Sequence, residues 1–125
     1  RTVILLDTCH SGGALQLAGR PVPPCVVSAR EVDRFREGSG RFVLTASQAD
    51  ERSYERAGHG YFTRAFLEVL TESQGCTPLT RLFARVQNEV RERVARDLGK
   101  KQTPALGQSD QAVDIQLGAP ACQAG

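Results

Sequence analysis

Long apolar runs are what this chain lacks first. No stretch approaches the roughly 20 residues needed to span a bilayer, so the sequence gives no membrane as its partner. Charge of one sign is also scarce. A net charge of +2 makes no strong case for nucleic acid or an anionic surface. The four cysteines, Cys9, Cys25, Cys76 and Cys122, are scattered, with no CxxC pair and no His-rich spacing that would suggest zinc. Their density is low for a disulfide framework, which points to a reducing cytosol. Neither a metal nor an organic cofactor is implied, and no internal repeat is visible. Methionine is absent, and only Arg1 and Thr2 precede the first apolar run. A strand that opens a chain in this way needs neighbours, so the expectation is one piece of a larger domain, cut out by proteolysis or by design.

What is present is concentrated near the start. Residues 3–6, Val-Ile-Leu-Leu, are continuously apolar, as in a strand covered on both faces of a parallel sheet. Asp7-Thr8-Cys9-His10-Ser11-Gly12-Gly13 follows at once. A cysteine at the carboxyl end of a buried strand suits a nucleophile, because open α/β sheets place their sites there. The small-residue turn through Gly12 lets a carbonyl approach backbone N–H groups able to hold an oxyanion. The alternative is a buried structural cysteine, the commoner fate of that residue. Asp7 and His10 are unusual neighbours for one that only fills space.

Downstream the pattern alternates strand and helix. Residues 13–18 form a short helix or turn, 19–24 a proline-rich loop and 29–36 a short charged helix. Residues 41–46 read as a second buried strand and 48–60 as a polar loop. An apolar stripe at Phe62, Ala65, Phe66, Val69 and Leu70 gives a helix over 61–72. Pro78 starts a further helix whose buried face is Leu79, Leu82, Phe83, Val86, Val90 and Val94, and Gly99 ends it. Residues 113–117 alternate as a last strand. The fold class is therefore α/β with a mostly parallel sheet.

Several of these segments together resemble a known family. Asp7-Thr8-Cys9-His10-Ser11-Gly12 is similar to the nucleophile motif of caspase-like cysteine peptidases in their metacaspase and orthocaspase form. Val43-Leu44-Thr45-Ala46-Ser47-Gln48-Ala49-Asp50-Glu51 resembles the strand and substrate loop that follow it. Gly60-Tyr61-Phe62-Thr63 resembles the family's Gly-x-Phe-Thr helix start, and Gln102-Thr103-Pro104 its stretch before the last strand. The resemblance runs from Thr2 to Leu117. It implies a three-layer sandwich in which residues 1–118 supply the C-terminal half of the sheet and its helices, with 119–125 as a tail.

The same resemblance implies peptide hydrolysis by a Cys–His dyad with Cys9 as nucleophile. The histidine is expected about 50 residues before the cysteine, hence on an upstream segment, the N-terminal half of the same domain being a partner. His10 adjoins Cys9 and points to the other face of an extended backbone; a hydrogen bond under the turn suits it better. His59 follows the cysteine in chain order, the wrong side for the family. Substrate contacts are implied for Asp7, Gly12, Ser47, Gln48, Asp50 and Glu51. Asp7 shares the strand face of Cys9 and resembles the acidic pocket residue of enzymes that cut after Arg or Lys; its alternative is a strand-end cap. For Asp50 and Glu51 the alternative is a solvated loop. Residues 14–17 lack the carboxylate that calcium-dependent members carry after the turn. Residues 19–40 match the inter-subunit processing loop, with Arg20, Arg30, Arg34 and Arg36 as self-cleavage sites, or else form an ordinary exposed loop. Two other readings stay open: a caspase fold that has lost its chemistry and serves as a binding module, and a different cysteine hydrolase or acyltransferase.

Overall fold

A computed structural model describes residues 1–7, 40–48, 51–109, 112–118 and 122. Cys9, His10, Gly12 and Asp50, the expected helices at 13–18 and 29–36, residues 14–17 and most of the loop at 19–40 lie outside the described residues.

Strand β2 (Arg41–Thr45) is the centre of a three-stranded sheet, between β1 (Thr2–Leu6) and β5 (Ala105–Gln108). Phe42, Val43 and Leu44 are fully buried, as a continuously apolar central strand requires. β1 runs parallel to β2, with Thr2 opposite Arg41 and Leu6 opposite Thr45. β5 runs antiparallel to it, with Thr45 opposite Ala105. The described sheet is thus mixed, not mostly parallel.

The helices explain the change of direction. β3 (Glu55–Arg56) and β4 (His59–Gly60) form a small hairpin, followed by α1 (Tyr61–Glu72) and α2 (Leu79–Leu98). One crossover helix returns a chain to begin a parallel strand. Two successive helices bring it back to the end it left, so the next strand runs antiparallel. Phe42, Leu44 and Ala46 alternate onto the face that packs against Phe62, Ala65 and Phe66 of α1 and Leu82, Val86 and Val90 of α2. The described residues therefore supply the sheet and one helical layer.

Helix α1 spans the expected residues. Helix α2 begins one residue after Pro78 and ends at Gly99, whose φ of 61° and N–H to the Ala95 carbonyl make the expected left-handed stop. Pro78 offers no side chain to cap α2. Asp114 does so from elsewhere in the chain, its Oδ1 accepting the Thr80 N–H at 3.2 Å.

That role accounts for one expectation that fails. Residues 113–117 are not a strand; only Gln116 forms an isolated bridge, to Pro78. Their alternation has another use. Ile115 packs on the core, while Asp114 caps α2 and Val113 is 62% exposed. The last strand is instead Ala105-Leu106-Gly107-Gln108, in which Gly107 weakens any strand signal. The β3–β4 hairpin also replaces part of the expected loop. Both of its turn residues, Ala57 (φ 54°) and Gly58 (φ 79°), are left-handed, as a two-residue turn between right-twisted strands demands.

Cys76 and Cys122 form a disulfide, a pairing that the scattered cysteines did not suggest. It ties the turn between α1 and α2 to the end of the chain, where Gly118 donates to the Gly75 carbonyl at 2.8 Å. No helix among the described residues is long and apolar enough to cross a membrane.

Candidate active site

The parallel pairing of β1 with β2 sets their carboxyl ends side by side, and the antiparallel β5 enters at the same end. Asp7, Ser47, Gln48 and Glu51, all expected to contact substrate, gather there with residues 101–104. This is the end at which open α/β sheets build their sites.

Asp7 is exposed and comes just after β1. Its Oδ2 accepts a hydrogen bond from the Thr63 hydroxyl in the first turn of α1. Gly60, immediately before that helix, lies under the same carboxylate: a Cβ there would fall 2.5 Å from Oδ2 and 3.2 Å from Cγ. α1 has no acidic residue in its own first turn and no side-chain cap at Gly60. Asp7 supplies the negative charge that a helix N-terminus favours, delivered from a different element. The Gly-x-Phe-Thr start is therefore built around Asp7, with glycine making room and threonine donating.

The loop after β2 is held by internal bonds. The Thr45 hydroxyl donates to the Ser47 carbonyl at 3.1 Å, and the Glu51 N–H to the Gln48 carbonyl at 3.0 Å. The Ser47 hydroxyl lies 3.3 Å from the Glu51 carbonyl and 3.4 Å from Ser53 Oγ. The Glu51 side chain is only 9% exposed and faces residues 101–103. It accepts from the Thr103 N–H at 2.6 Å and hydroxyl at 3.2 Å, and pairs with Lys101 at 3.4 Å. Glu51 is thus no solvated loop residue; it fastens the approach to β5.

Gln102 completes the frame. It is 1% exposed, and its amide is used on both sides. Oε1 accepts from the Tyr54 N–H at 2.9 Å, and Nε2 donates to the Ala46 carbonyl at 2.9 Å. Tyr54 in turn accepts from the Tyr61 N–H at 3.1 Å, so one buried side chain links the end of β2 to the start of α1. In the sequence Gln102 stands out only as the first residue of the Gln102-Thr103-Pro104 stretch. Its buried role rests on contacts with Tyr54 and Ala46, distant in sequence, that no local signal marks.

His59 faces elsewhere. It pairs with Arg56 across the hairpin, and alternation along β4 sends its side chain away from the Gly60–Asp7 approach. It lines a cleft of about 600 Å³ with Arg56, Tyr61, Arg64, Arg96 and Asp97. Asp97 bonds to Arg56 at 2.9 Å, Arg96 at 3.0 Å and the Tyr61 hydroxyl at 3.1 Å. Its carboxyl is held below the usual carboxylate range, chiefly by Arg96 and then by Tyr61 and Arg56. Burial pushes the Tyr61 hydroxyl upward, and Asp97 adds to it. Glu68 is likewise lowered, chiefly by Arg93. These charges satisfy one another and knit the hairpin to both helices.

The family model for the caspase domain of C14 peptidases matches residues 1–115. No curated protein matches the chain.

Proposed function

The chain belongs to the caspase family of cysteine peptidases, and from that premise we propose that it carries the nucleophile and the cation-binding wall of an endopeptidase that cuts after Arg or Lys. Cys9 is the nucleophile. Its thiolate attacks the scissile carbonyl, and backbone N–H groups around Cys9 and Gly12 hold the oxyanion. A histidine upstream of Arg1, on the N-terminal half of the domain, takes the thiol proton and passes it to the leaving amine. Water then hydrolyses the thioester. A free thiol near pKa 8.5 is mostly protonated at neutral pH, so the base is needed for rate.

The observation that carries the specificity is Asp7. It stands two residues before Cys9, exposed at the carboxyl end of β1, with Thr63 and Gly60 fixing it. An accessible carboxylate beside the nucleophile attracts a cation and repels an acidic side chain. Gln48, and Asp50 beyond it, extend the substrate loop, while Ser47 and Glu51 hold that loop in shape. Residues 19–40 are the segment cut during self-processing, at one of its arginines.

The test is a set of matched fluorogenic peptides with Arg, Lys, Asp or Gln before the cleaved bond, given to the complete peptidase domain. Cleavage of the Arg and Lys peptides alone supports the reading. Cleavage after Asp contradicts it.

A further inference from the structure

Asp7 is read above as the anion that receives the substrate cation. Resting on that reading, we propose that Thr63 and Gly60 fix how this anion is presented and thereby set the preference for Arg over Lys at the cleaved position.

Two observations carry this, and both centre on Oδ2 of the carboxylate. The Thr63 hydroxyl donates to Oδ2, which stops the carboxylate from rotating and occupies one of its lone pairs. Gly60 lies against the same oxygen. Its backbone, at φ −66° and ψ 139°, is one that any residue adopts, so glycine is not needed there for conformational freedom. It is needed for space, because a Cβ would lie 2.5 Å from Oδ2, 3.2 Å from Cγ and 3.3 Å from Oδ1.

The consequence follows from the shapes of the two cations. A carboxylate that swings is a point charge, and a Lys ammonium takes it as readily as a guanidinium does. A carboxylate held in one plane presents its remaining lone pairs in a fixed arrangement, which the planar fork of Arg matches and the ammonium does not exploit. Thr63 and Gly60 are positioning residues. They act through Asp7 and touch no reacting atom.

The experiment measures kcat and KM of the complete peptidase domain for matched Arg and Lys peptides. Thr63→Val should lower the Arg-to-Lys ratio of kcat/KM about tenfold, as loss of a hydrogen bond to a charged group does, mainly by raising KM for the Arg peptide. Thr63→Ser should restore the ratio. Gly60→Ala should lower it too, by pushing the carboxylate aside without removing the hydroxyl, and it decides the matter if Thr63→Val fails to fold. Equal losses on both peptides, or an unmoved ratio in both variants, would overturn the proposal. Asp7→Asn separates the two layers. If it cleaves the Arg peptide as well as the parent does, the reading of Asp7 falls and this inference with it. If it loses that cleavage while the ratio stands unmoved in the Thr63 and Gly60 variants, this inference alone is wrong.

Discussion

The Thr63 hydroxyl donates to the Asp7 carboxylate across 56 residues of sequence. One bond thus joins the end of the first strand to the first turn of α1. It joins two motifs far apart in the chain, because the glycine and threonine that open the helix lie against the carboxylate two residues before Cys9.

Cys9→Ala in the complete domain should abolish peptide cleavage and leave the unfolding free energy within about 1 kcal/mol of the parent. Loss of a covalent nucleophile costs many orders of magnitude in other acyl-transfer enzymes. Peptide turnover and thermal unfolding on the same preparations check both halves. Substantial residual cleavage would remove Cys9 from the mechanism.

Gln102→Leu should destabilise the domain by about 2–4 kcal/mol, because it strands the Tyr54 N–H and the Ala46 carbonyl inside the protein. Since Gln102 also ties β2 to the start of α1, cleavage should fall in the variant even below its unfolding temperature. Urea unfolding gives the first number and single-turnover kinetics the second. A loss under 1 kcal/mol would show that water replaces the amide.

Much of this frame was legible in advance, and the reasons differ by element. The two helices follow from apolar residues at helical spacing, and the end of α2 from a glycine that can take φ 61°. The central strand follows from an unbroken apolar run. β5 was hidden because Ala105-Leu106-Gly107-Gln108 becomes a strand by pairing with β2, not by propensity. Residues 113–117 misled because alternation, usually the mark of a sheet, here separates a cap from a core residue. At the site, Asp7 was found from its place two residues before Cys9. Thr63, Gly60 and Gln102 act through tertiary contacts that no local pattern announces.

The Cys76–Cys122 disulfide closes the chain over a separation of 46 residues. Reducing it should cost about 2–4 kcal/mol, with the segment carrying Asp114 loosening from the N-terminus of α2. Alkylation of the unfolded protein before and after reduction, followed by peptide mass mapping, tests it. Cys76 and Cys122 should be labelled only after reduction. Labelling of both without reductant would contradict the pairing.

The most direct test of the account compares Asp7→Asn with the parent in two reactions of the complete domain. One is turnover of an Arg peptide, and the other is alkylation of Cys9 by a small neutral reagent. Turnover should fall at least 100-fold, about the loss expected when a close charge pair across a binding interface loses one partner, while alkylation changes by less than about threefold. Unchanged turnover of the Arg peptide, or an equal fall in both reactions, would contradict the assignment of Asp7 as the group that binds the substrate cation.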